Sequence, residues 1–139
     1  MKRNPKVFIS YPREESSWVQ GFADSLRERG VDVWFDRYEI QAGDDFRKSL
    51  EAGMRHSDGV VFLLTTPGAR NPSLLFEIGA AMGMGKRVIP IVTPGMDPAA
   101  IPVDLRLRGW VVRGEPASTA MEVASALIKE SSPQSASRN

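Results

Sequence analysis

The chain has 139 residues, 42% of them hydrophobic, which is enough for one domain around a single core and too few for two. Its 18 Lys and Arg nearly balance its 17 Asp and Glu, a formal charge of +1, so there is no electrostatic footprint for nucleic acid or for an anionic membrane. The absence of cysteine excludes disulfides, thiolate metal sites and Cys nucleophiles, and a single histidine leaves too few ligands for zinc. Behind the basic start, MKRNPK, the apolar stretch VFISY is too short for a signal peptide, and no later run approaches a membrane span. A cytoplasmic domain without metal, nucleic acid or membrane partners is the expectation.

Three short runs rich in β-branched and aromatic residues predict strands: KVFIS (6–10), VDVWF (31–35) and GVVFLL (59–64). RVIPIV (87–92) carries a proline, and GWVV (109–112) is weaker. Continuous rather than alternating apolarity suggests strands covered on both faces, as in a parallel sheet, and places Trp34 in the core. Between them lie helical patterns. Residues 14–29 put Trp18, Phe22 and Leu26 four apart, with Gly30 as the stop. Residues 44–56 open with Asp44 and Asp45, suited to an N-cap and first turn, and continue with Phe46, Leu50 and Met54. The pattern over 71–85 starts Asn71-Pro72, cap and first helical position, and ends at Gly85. A last helix is predicted over 116–130, within a domain spanning 1–130. The polar residues 131–139 read as a disordered tail or the start of a linker.

Repeated strand–helix alternation predicts an α/β fold, a flavodoxin-like doubly wound sandwich of about five parallel strands flanked by helices. Ligands bind outside the carboxyl ends of such strands. The search therefore narrows to 10–15, 36–45, 65–71 and 93–105. No strand is followed by G-x-G-x-x-G, which leaves a dinucleotide-binding turn unsupported. GMGKR (83–87) departs from a phosphate loop: Ala80 stands where a glycine is needed, and Arg87 where Ser or Thr is needed. A phospho-accepting aspartate is missing at the end of GVVFLLTTP, and His56, at the end of a helical pattern, reads as a surface residue.

The run NPSLLFEIGAAMGMGKRVIPIV (71–92) holds one acid, Glu77, amid apolar and small residues. On a helix from Asn71, Leu74, Ile78, Ala81 and Met82 share a face, and Glu77 falls one residue-step off it. By position alone it is either a solvated boundary glutamate or a group lying over the strand ends.

FISYPREESSWV, VWFDRYEIQAGDDF, SDGVVFLL and NPSLLFEIGAAMGMGKRVIPI, in that order, resemble a Toll/interleukin-1 receptor (TIR) domain of bacterial type, from about Lys6 to Ile128. Enzymatic members of that family cleave the bond between nicotinamide and ribose in NAD+, and their catalytic glutamate corresponds to Glu77. The resemblance implies NAD+ as substrate, with no separate cofactor. It suggests substrate contacts at Phe8, Ser10, Tyr11 and Arg13, at Asp36 and Tyr38, and at Asn71. It also implies homo-oligomerisation, in which the loop 36–45, with Asp36, Arg37, Tyr38, Gly43 and Asp44, completes the pocket of another protomer. Such a domain would serve as a bacterial immune effector. The chain departs from the family where a tryptophan and cysteine often precede the glutamate, positions held here by Ser73 and Leu74. The same resemblance leaves two other readings open: a non-catalytic TIR–TIR interaction module, and a glycosidase for another nucleoside or nucleotide.

Overall fold

The structure is a computed structural model that describes residues 4–37, 52–67, 72–106 and 108–130. The expectations for Tyr38, Gly43, Asp44, Asn71 and the tail 131–139 therefore lie outside the described residues. Five strands make one parallel sheet: β1 (Lys6–Tyr11), β2 (Asp32–Arg37), β3 (Gly59–Leu64), β4 (Arg87–Val92) and β5 (Val111–Val112). Their order is β2-β1-β3-β4-β5. The helices are α1 (Ser16–Glu28), α2 (Pro72–Gly83), α3 (Val103–Arg106) and α4 (Pro116–Glu130), and residues 52–55 are also helical. The predicted α/β sandwich is the one observed.

Alternation along the strands splits the core into two layers. Val7, Ile9 and Tyr11 of β1 join Val61, Leu63, Ile89 and Ile91 under α1 and α4, against Phe22, Leu26, Val123 and Leu127. Phe8 faces the other way, with Val60, Phe62, Leu64 and Val88, against Leu74, Ile78 and Ala81 of α2. Both faces are covered, which is why the strands read as unbroken apolar runs. Burial of each large side chain contributes roughly 1.5–3 kcal/mol.

Turn chemistry closes the helices. Gly30 and Gly85 have φ of 83° and 70°, the left-handed conformation that favours glycine. Beyond α2, the Gly85 N–H donates to the Met82 carbonyl and the Lys86 N–H to the Ala81 carbonyl, each at 3.0 Å. Pro90 fits its strand because β5 pairs only with Ile91 and Val92, leaving that edge of β4 open beside it.

Trp34 differs from expectation. It is 41% exposed, on a strand that is an edge of the sheet among the described residues, with β1 as its neighbour. Its ring lies 5.8 Å from the Lys6 ammonium, a cation–π contact at the surface.

Candidate functional site

Strand order reverses its direction of growth at β1: β2 lies on one side, β3 on the other. A crevice opens at such a switch point, beyond the strands' carboxyl ends. Ser10 lies one residue before the end of β1, in register with Asp36 of β2 and Phe62 of β3. Glu77 sits in the second turn of α2, the helix that follows β3. Ser10 shares its face of β1 with Phe8, the face against which α2 packs. The Ser10 hydroxyl donates to Oε1 of Glu77.

Both residues are 0% exposed, which overturns the reading of Glu77 as a solvated boundary residue. The physical reason is the rotation of α2. Leu74, Glu77, Ile78 and Ala81 face inward, while Leu75 and Phe76, at 48% and 43% exposure, face solvent. The helix therefore turns its one acid into the protein and two large apolar side chains out. A carboxylate taken from water costs several kcal/mol unless hydrogen bonds or countercharge offset it, and each exposed Leu or Phe forgoes part of its ~1.5–3 kcal/mol of burial. The same rotation buries Leu74, Ile78 and Ala81, the apolar stripe expected from the sequence, and carries the acid in beside them at a local cost. Conflicts of this kind between local preference and global structure occur at functional sites.

The other expected site residues divide. Phe8 is a core side chain: it is 0% exposed, and a Cβ added at Gly53 would lie 2.4 Å from its ring, so the helical segment presses directly on it. Tyr11 is 5% exposed and belongs to the layer under α1 and α4, on the face of the sheet opposite Glu77. Phe8 thus serves the core on the face of the sheet that carries Ser10, and Tyr11 the core on the other face. Arg13 is exposed, in the 3-10 turn Arg13–Glu15 that leaves the carboxyl end of β1. Asp36 and Arg37 end β2, with the Asp36 backbone beside Ser10.

The exits of β3 and β4 share a link that sequence reasoning did not single out. Thr93, just past β4, donates its hydroxyl to the Leu64 carbonyl at the end of β3, at 2.7 Å. The signal was a threonine immediately after an apolar strand. Thr93 ties together the exits of β3 and β4, and so braces the point from which the chain leads to α2. Leu74, which occupies one of the positions where the family's aromatic residue is common, is 0% exposed and serves as core beneath Glu77. Among the described residues, no group of three or more His, Asp or Glu stands close enough to hold a metal ion. No helix among them is long and apolar enough to cross a membrane.

Comparison with known proteins agrees with this fold. The family model "TIR domain" matches residues 7–124. Over 90 residues the chain is 28% identical to 2' cyclic ADP-D-ribose synthase AbTIR of Acinetobacter baumannii, a match covering 61% of this chain and 34% of that protein. It is 33% identical over 61 residues to NAD(+) hydrolase PdTIR of Paracoccus denitrificans, covering 43% of this chain and 20% of that protein. These matches thus span about a third or less of the relatives' own lengths. Among solved structures, a metazoan TIR-STING receptor from C. gigas superposes with a TM-score of 0.71 at 18% identity, over 91% of this chain and 41% of that one. That likeness shows the fold, and the family match covers most of the sequence. The chain belongs to the TIR domain family.

Proposed function

We propose that this domain is an NAD+ glycohydrolase in which Glu77 is the catalytic carboxylate. The observation that carries the reading is the inward rotation of α2, which sets one acid at the switch point of the sheet and leaves Leu75 and Phe76 in water. The names of the two relatives, an NAD(+) hydrolase and a 2' cyclic ADP-D-ribose synthase, support it.

The chemistry suits a single carboxylate. In NAD+ the nicotinamide nitrogen bonded to ribose C1′ is positively charged. When that bond breaks, the electron pair stays with nitrogen, nicotinamide leaves neutral, and no general acid is needed. The positive charge passes to the ribose as an oxocarbenium ion, which a fixed carboxylate stabilises. Water then adds to C1′, giving ADP-ribose and a proton. Capture by a hydroxyl or base elsewhere on the same molecule would give a cyclic isomer, and capture by a free base an exchange product. A low-polarity setting strengthens the carboxylate's attraction for the cation, so the burial of Glu77 favours the charged transition state.

Arg13, Asp36, Tyr38 and Asn71, at or beyond the strand exits, are the candidates for holding the substrate. Because Glu77 is shut from solvent in a single copy, NAD+ reaches it only after the surroundings open. Self-association through the loop 36–45, with Asp36, Arg37, Tyr38, Gly43 and Asp44, supplies that opening in this reading. The catalytic domain spans residues 1–130, acts in the cytoplasm, and serves as an effector in bacterial immunity.

Product analysis tests the reading. Purified protein is incubated with NAD+ at rising protein concentration, and the products are resolved by chromatography. Nicotinamide together with ADP-ribose or a cyclic isomer is expected. Absence of turnover even after forced clustering would point to an interaction module. Release of another base from other nucleotides, with NAD+ untouched, would mean a different substrate.

A further inference from the structure

Among the described residues, four buried side chains are polar or charged: Ser10, Ser57, Glu77 and Thr119. Two of them serve nearby backbone. Ser57 donates its hydroxyl to the Gly53 carbonyl at 2.7 Å, and Thr119 Oγ1 accepts from the Gly114 N–H at 2.9 Å. Ser10 is different, because its hydroxyl reaches a carboxylate 67 residues away.

The two partners are unequal in freedom. Ser10 lies in a strand paired on both edges, beside Asp36 and Phe62, so its backbone is fixed by the sheet. Its Oγ is one bond beyond Cβ, and one torsion sets its position. Glu77 has three side-chain torsions and projects from α2. The Ser10 hydroxyl shares that layer with the apolar side chains of Phe62, Leu64, Leu74 and Ile78. An isolated serine there would be a cost without return, since removing both members of a buried polar pair is often neutral or stabilising.

We infer that Ser10 is a positioning residue for Glu77, holding the carboxylate in one orientation for the reacting ribose, and is not itself a substrate contact. The inference rests on the glycohydrolase reading. A charge that is already oriented needs no reorganisation as the oxocarbenium forms, whereas a free carboxylate must be ordered during the reaction.

The test uses the full chain, with Ser10→Ala, Ser10→Cys and Glu77→Gln beside wild type. Loss of the hydroxyl in Ser10→Ala is expected to lower kcat by roughly 10- to 100-fold, the usual range for a hydrogen bond to a charged group. KM should hold within about twofold, since uniform binding is untouched. Ser10→Cys, a weaker donor of similar size, should fall between, and it carries the test if Ser10→Ala does not fold. Raised KM with unchanged kcat would make Ser10 a substrate contact and overturn the proposal, as would wild-type kcat in both variants. A second readout needs no turnover: the 13C resonance of the Glu77 carboxyl should move in Ser10→Ala while circular dichroism stays native. An unmoved resonance overturns the proposal. A wild type that leaves NAD+ intact would instead refute the glycohydrolase reading, and the resonance would still decide whether Ser10 positions Glu77.

Discussion

Ser10 and Glu77, 67 residues apart in sequence, join by a hydrogen bond with both side chains closed to solvent. The contact links the first strand of the sheet to the helix after the third, across the point where strand order reverses. It unites the sheet's geometry with the one acid of α2.

Function and stability should pull in opposite directions at Glu77. Gln keeps the shape and removes the charge that burial penalises. Urea unfolding of Glu77→Gln is expected to show a gain of roughly 1 kcal/mol, in line with buried charges replaced by neutral groups. A loss above about 2 kcal/mol would mean that the carboxylate is chiefly a structural tie.

The rotation of α2 can be tested with two adjacent leucines. Leu74 is 0% exposed and Leu75 48% exposed. Leu74→Ala should cost about 2–5 kcal/mol. Leu75→Gln should stay within about 0.5 kcal/mol. Denaturant midpoints decide, and equal costs would contradict the orientation that places Glu77 inside.

Gly53 lets the helical segment lie on Phe8. An added Cβ would stand 2.4 Å from Cε2 and 2.7 Å from Cδ2 of that ring. Gly53→Ala should therefore destabilise by about 1–3 kcal/mol through overpacking, despite alanine's better helix propensity. A calorimetric Tm equal to wild type would show that the ring moves aside freely.

Much of this was legible in the chain. Runs 59–64 and 87–92 form strands with those bounds, because burial on both faces leaves an unbroken apolar run. The opposed directions of Ser10 and Tyr11 follow from strand alternation. The exposure of Trp34 was not legible, since it depends on which strand becomes an edge. Nor was the burial of Glu77. The stripe of Leu74, Ile78 and Ala81 was legible and is the face that turns inward, but Glu77 lies at its border, and the side it takes depends on tertiary contact with Ser10.

The turn carrying Arg13 is anchored from the far side of the sheet. Arg113 pairs with Glu15 at 2.8 Å and lies 4.7 Å over the Trp18 ring, whose Nε1–H donates to the Gly114 carbonyl at 3.0 Å. A double-mutant cycle of Glu15→Ala and Arg113→Ala should give a coupling of about 0.5–1 kcal/mol, shrinking at 1 M salt. Coupling near zero at low salt would show that the pair is incidental.

The most direct test compares nicotinamide release from NAD+ by wild type and by Glu77→Gln, across a wide range of protein concentration. Release should rise faster than linearly with wild-type protein and fall by at least roughly 100-fold in the variant, the scale of losing a principal transition-state charge. Equal release from both proteins would contradict the assignment of Glu77 as the catalytic group.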